Sequence, residues 1–293
     1  MKRAVCFWAM AVCLLAWTGP QSRAADEPRI EADVVYGHKD GLALTFDVIR
    51  PAKPNGSAVL FLQSGGWYST WMEPRLLVPV AQPFLDKGIT MLIVRHGSAP
   101  KYTVPEAIED VRRAVRVVRM RAKEWDLDPN RLGVLGGSAG GHLTLMLATT
   151  GDDGDAASKD PVLRHGSRIA AGVALYPPTD LRKWTTDPPA AIKAIPGLRP
   201  PLAFDAAKEA DCSPLLKVTE RTAPVLMIHG DKDELVPISH SEQILEVLEK
   251  AQVPCRLLTM KGAGHSFTAK DNAIAGPAML EWFVKYLAEK KPE

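Results

Sequence analysis

The sequence predicts an α/β fold: a mostly parallel, eight-stranded sheet with an N-terminal antiparallel hairpin, helices on both faces and a small insertion after strand six. Three observations predict it. Short apolar runs alternate along the chain with longer helical patterns. Several runs, such as Val59-Leu60-Phe61-Leu62 and Val225-Leu226-Met227-Ile228, are apolar without alternation, as parallel strands covered on both faces are. A glycine-rich turn, Gly136-Gly137-Ser138-Ala139-Gly140-Gly141, leaves one such run and opens a helical stretch.

Composition fits a folded chain. Of 293 residues, 46% are hydrophobic and 24% charged, so neither low hydrophobicity nor excess charge favours disorder. A net charge of +2 argues against a nucleic-acid footprint. Met1-Lys2-Arg3, the apolar run 4–17 and Ser22-Arg23-Ala24 read as a secretory leader over 1–24, cleaved after Ala24. The run is shorter than the roughly 20 residues a membrane span needs, so a secreted or periplasmic protein without stable membrane insertion is expected. Cleavage would remove Lys2, Arg3, Arg23 and no acid, turning +2 into −1. Residues 25–293 then form one domain, with no repeat or linker. Export makes a disulfide between Cys212 and Cys255 possible, though a domain of this size does not require one.

Strands are expected at 32–36, 42–49, 58–63, 89–94, 131–136, 169–176, 224–229 and 255–260. The first two, joined through His38-Lys39-Asp40-Gly41, read as a hairpin. Later strands are spaced widely enough for crossover helices. The clearest helix covers 105–125, where Ile108, Val111, Val115 and Val118 fall on one face. Pro105 suits its first position, and Glu106, Glu109 and Asp110 lie near its positive end. Arg112, Arg113, Arg116, Arg119 and Lys123 read as a solvated face. Further helices fit 239–251 and 278–290. Residues 183–212, rich in proline and alanine, exceed a usual connection and are either a small cap over a site or an elaborated crossover. Asp152-Asp153-Gly154-Asp155 lacks the spaced ligands of a Ca²⁺ loop and reads as solvated; no metal and no cofactor are expected.

The chemistry converges on four segments. Gly136 to Gly140 is a G-x-S-x-G in the context that motif requires, strand then sharp turn then helix, which makes Ser138 the candidate nucleophile. Glycines two residues either side let strand and helix approach closely. A serine hydroxyl needs a base, and His265, in Gly262-Ala263-Gly264-His265-Ser266-Phe267 after the last strand, is best placed. His142 is carried into the following helix and reads as structural or pocket-lining; His38, His96, His165 and His240 read as surface or loop residues. The imidazole needs an acid, and Asp233 is preferred over Asp231 and Glu234 in the loop after the seventh strand. Gln63-Ser64-Gly65-Gly66-Trp67-Tyr68 follows the third strand. The amides of Gly65 and Gly66, with that of Ala139, are the expected oxyanion donors. Trp67, Tyr68 and Trp71 could line a substrate pocket.

At GGWYS, GGSAGG, HGDKDELVP and GAGHSF the chain resembles the α/β-hydrolase superfamily, and within it the hormone-sensitive-lipase-like and feruloyl/acetyl-xylan-esterase-like carboxylesterases. The likeness covers nearly all of 25–293, including the segments 104–111 and 128–131 that lead to the elbow. It departs where the usual H-G-G-G stands as Gln63-Ser64-Gly65-Gly66, so the histidine that braces that loop is missing. The resemblance implies ester hydrolysis through Ser138, His265 and Asp233, with a small-molecule or carbohydrate ester, acetyl or feruloyl among them, as substrate. Two rivals remain: a prolyl-oligopeptidase-type peptidase acting on small peptides, and a non-catalytic binding protein on the same fold.

Overall fold

Asp40 and Gly41 both have positive φ (49° and 79°), the backbone of a two-residue turn that matches strand twist. They join β1 (Arg29–Lys39) to β2 (Leu42–Arg50) in the computed structural model, which describes residues 27–289. The expected leader falls outside those residues. β1 is longer than its apolar core suggested because it carries a bulge: Asp33 sits at φ 54° and its amide donates to Asp47 Oδ1 rather than to the ladder.

β3 (Ala58–Leu62), β4 (Thr90–Val94), β5 (Leu132–Gly137), β6 (Ala171–Leu175), β7 (Val225–Gly230) and β8 (Cys255–Met260) complete one sheet of order β1-β2-β4-β3-β5-β6-β7-β8. β1 pairs antiparallel with β2 and β2 antiparallel with β4; every later pairing is parallel. The expected eight-stranded architecture is confirmed. Its central strands are buried on both faces, which is why they lack alternation.

Two apolar layers flank the sheet. α2 (Val104–Met120), α3 (Ala139–Thr150) and α5 (Ser239–Lys250) cover one face through side chains such as Val111, Leu143 and Ile244. α1 (Val78–Leu85) and α6 (Ala269–Tyr286) cover the other through Phe84, Met279 and Phe283. Each such side chain, fully buried, contributes about 1.5–3 kcal/mol. α6 starts at a capping box made by Thr268 and Asp271, nine residues before the expected start, and Pro277 lies inside it. The helix expected over 105–125 ends at Met120 and continues as a 3₁₀ turn to Trp125.

The arginine face of α2 is only partly solvated: Lys123 is exposed, but the arginines are half-buried. Arg113 bonds the Tyr36 carbonyl and Asp160, Arg116 bonds Asp152 and the His165 carbonyl, and Arg119 reaches the carbonyls of Pro129, Gly166 and Arg168. These guanidiniums clamp the segment after α3, including Asp152 of the acidic loop, whose Asp153 pairs with Arg168 and Arg221. Cys212 and Cys255 are free thiols, Cys212 buried in the core.

Between β6 and β7 the chain makes α4 (Ala190–Lys193) and short 3₁₀ turns, with Glu209 as the post that holds them. Its carboxylate accepts from the Lys183 amide, the Thr185 amide and the Thr185 hydroxyl at 2.6, 2.8 and 2.6 Å.

Candidate active site

Where β5 turns into α3, Ser138 has φ 52° and ψ −118°, a conformation that residues with side chains avoid and that lifts Oγ clear of the turn. So sharp a turn presses backbone on backbone. A Cβ on Gly136 would lie 2.4 Å from the Gly140 carbonyl oxygen, and one on Gly140 2.7 Å from that of Leu62. Both glycines are sterically required.

Two loops at the same carboxyl edge reach Ser138. His265, after β8, places Nε2 2.8 Å from Ser138 Oγ and Nδ1 2.8 Å from Asp233 Oδ2. Asp233, after β7, is buried, and its Oδ1 accepts the amides of Leu235 and Val236 at 3.0 and 2.9 Å. Oδ2 also faces His229 Nε2 at 3.1 Å. Burial raises the Asp233 pKa, but the hydrogen bonds from His229 and His265 outweigh it and hold the carboxyl well below the usual range. An ionised Asp233 puts the His265 proton on Nδ1, leaving the Nε2 lone pair for the serine proton. Asp231, the alternative acid, instead accepts the Gly262 amide at 2.6 Å. The Tyr176 ring lies against His265 with centroids 4.9 Å apart, a neighbour no motif announced.

The expected donor set needs one correction. Gly65 and Tyr68 exchange amide-to-carbonyl bonds of 3.0 Å in both directions across Gly66 and Trp67, which both have positive φ (55° and 60°). This is a tight turn of the mirror-image kind, and it engages the Gly65 amide. Among the described residues the Gly66 and Ala139 amides donate to no backbone carbonyl, which leaves these two as the candidate donors. The Ser64 carbonyl accepts the Gly140 amide at 3.2 Å, joining this turn to the elbow.

The brace missing from position 63 comes from another strand. His96, just past β4, is buried rather than at the surface. Its Nδ1 lies 2.8 Å from the Gly97 carbonyl and its Nε2 2.8 Å from Ser64 Oγ. With Nδ1–H donating to that carbonyl, Nε2 accepts the Ser64 hydroxyl proton. Burial lowers the His96 pKa, keeping it neutral for this role. Nothing near residue 64 in sequence signals this partner.

His142 does not line the pocket. It is fully buried, accepts the Trp67 indole N–H on Nδ1 at 3.3 Å and donates Nε2–H to the Cys212 carbonyl at 2.7 Å. Burial pushes its pKa down to about 4. It therefore ties the turn after β3 to α3 and to the end of the 183–212 segment.

A cavity of about 410 Å³ opens beside Ser138, walled by Gly66, Trp67, Tyr68, Trp184, Leu198 and Val236 among others. Trp184, Ile192, Ile195, Gly197 and Leu198, all from 183–212, supply one side of it. Trp71 is 57% exposed and is not part of the wall. Among the described residues no group of three or more His, Cys, Asp or Glu could hold a metal ion, and no helix is long and apolar enough to cross a membrane. The arrangement can take a proton from a serine and return it.

The model of a family described as BD-FAE matches residues 46–248. The esterase LipC of Mycobacterium tuberculosis is 28% identical over 83% of this chain and 61% of its own length. An ethyl acetate hydrolase of Pseudomonas putida is 27% identical, covering 85% of this chain and 79% of the relative. The chain spans 61%, 58% and 55% of the first three curated relatives it matches. Among solved structures, a truncated carbohydrate esterase from gut microbiota superposes with a TM-score of 0.75 at 21% identity, over 91% of this chain and 99% of that one.

Proposed function

Since the chain belongs to the BD-FAE family, we propose that it is an exported serine carboxylesterase that hydrolyses small acyl esters through an acyl-enzyme on Ser138. The observation that carries this reading is the unbroken line from Ser138 Oγ through His265 to Asp233, two contacts of 2.8 Å. In it, His265 Nε2 takes the hydroxyl proton as Ser138 Oγ attacks the ester carbonyl. The Gly66 and Ala139 amides meet the charge that develops on the carbonyl oxygen. His265 then gives the proton to the departing alcohol, and water repeats the sequence on the acyl group. Asp233 holds the imidazole in the working tautomer and steadies its cation.

The apolar cavity supports a short acyl group, as does the name of the Pseudomonas relative. The resemblance to acetyl-xylan and feruloyl esterases extends the proposal to acetyl or feruloyl esters of carbohydrates. Export rests on the leader over 1–24. Ser138→Ala tests the reading: kcat on p-nitrophenyl acetate should fall on the order of 10⁶-fold, and a fluorophosphonate should label the wild type alone, at Ser138. Faster cleavage of acyl-peptide amides than of esters would replace this reading with the peptidase. Failure of the probe to label would replace it with the binding protein.

A further inference from the structure

We propose that Trp184, Ile192 and Leu198 form a septum that limits the length of the group the Ser138 cavity accepts, with Ile192 as the specificity-determining residue. The proposal rests on reading that cavity as the ester site. Adjoining it is a second open cavity of about 620 Å³, and the same three side chains line both spaces. All three are buried, at 5%, 3% and 7% exposure. Buried side chains that border both spaces are placed to act as the partition between them.

The two sides differ in chemistry. Towards Ser138 the partition faces Trp67, Leu235 and Val236; on the far side the lining includes Thr185, Thr186, Lys193 and Arg199. The partition is also held in place. Trp184 packs edge-on against Trp67 (6.5 Å, 85°) and His240 (5.9 Å, 89°). Leu198 seats on the turn after β3, where a Cβ added to Gly66 would meet its Cδ2 at 2.5 Å. Both are thus bound up with the oxyanion turn. Ile192 stands in α4 and takes part in neither contact, so truncating it opens the partition with the least effect elsewhere.

Each methylene moved out of water gains roughly fourfold in binding, so the four that separate octanoate from butanoate set a ceiling of roughly 200-fold. The far wall, where Thr185, Thr186, Lys193 and Arg199 stand among Pro188, Pro200, Leu202 and Ala203, keeps the gain below that. The test measures kcat/KM for two ester series, p-nitrophenyl acylates from acetate to octanoate and acetates of methanol to octanol, each variant being referred to its own shortest ester. In Ile192→Ala the octyl-to-butyl ratio should rise at least tenfold in one series, and in Ile192→Phe the butyl-to-methyl ratio should fall. Circular dichroism and melting temperature identify variants that have not folded; Ile192→Val then takes the place of alanine. Ratios unchanged in both series for folded variants overturn the septum while leaving the esterase reading intact. A wild type without esterase activity overturns the esterase reading instead. Calorimetric binding of butanoate and decanoate then decides the septum: tighter decanoate binding by Ile192→Ala supports it, and equal affinities overturn it.

Discussion

Replacing Asp233 by asparagine turns one acceptor atom into a donor, and the surroundings dictate which. Oδ1 receives two backbone amides, of Leu235 and Val236, and neither can change its role. The asparagine carbonyl must therefore face them, which points the new NH₂ at His265 Nδ1 and His229 Nε2. His265 can accept from that NH₂ only by moving its proton to Nε2. Nε2–H then points at Ser138 Oγ and cannot take the serine proton. The same tautomer trap in a serine triad costs about 10⁴ in kcat, about 5 kcal/mol of transition-state stabilisation. The assay is steady-state hydrolysis of p-nitrophenyl acetate by wild type and Asp233→Asn at pH 7, with circular dichroism to show that both are folded. KM should change far less than kcat, because the acid touches no substrate atom. A folded variant keeping more than a tenth of wild-type kcat would refute the reasoning and shift the acid to another carboxylate.

Gly136→Ala forces a methyl to within 2.4 Å of the Gly140 carbonyl and should destabilise the fold by about 1–3 kcal/mol or more in urea unfolding; an unchanged midpoint would show that the elbow relaxes freely. Glu209→Ala strips three donors of their acceptor and should cost about 1–3 kcal/mol by the same measurement. His142 supplies a pH test. Its folded pKa, about 4, lies below its ordinary value of 6.5, so the unfolded chain binds the proton more readily. Its contribution to stability is therefore complete above pH 6.5 and is lost as pH falls towards 4, by roughly 3 kcal/mol at most. In His142→Gln, whose amide can still accept from Trp67 and donate to Cys212, the fall in unfolding free energy from pH 7 to 4.5 should be smaller. Equal slopes would mean that His142 is not held neutral.

The strands and the candidate site residues were legible for one physical reason: parallel strands impose continuous apolar runs, and each candidate side chain sits within a few residues of a strand's carboxyl end. What stayed hidden depends on contacts between distant stretches or on backbone shape. The Gly65 amide was expected to point at substrate because consecutive glycines leave amides uncrowded; the turn that engages it requires positive φ at Trp67, which a tryptophan does not advertise. His96 read as a surface or loop residue because its partner lies 32 positions away, in the loop after a neighbouring strand. Pro277 hid the first half of α6, and Pro79 and Pro83 concealed α1, since proline argues against a helix locally while the packed layer restores it. The arginines of α2 looked like a water-facing stripe because the carbonyls they clamp belong to an irregular segment without hydropathic pattern.

The four-residue turn after β3 fastens its own ends together through two backbone hydrogen bonds. If this turn is the anion socket of the proposed reaction, an arriving guest would find it already cast. A stiff tetrahedral mimic, which could not coax a floppy loop into shape, should associate here as quickly as a supple ester. Redesign of guest selectivity is accordingly better aimed at the roof than at this rim.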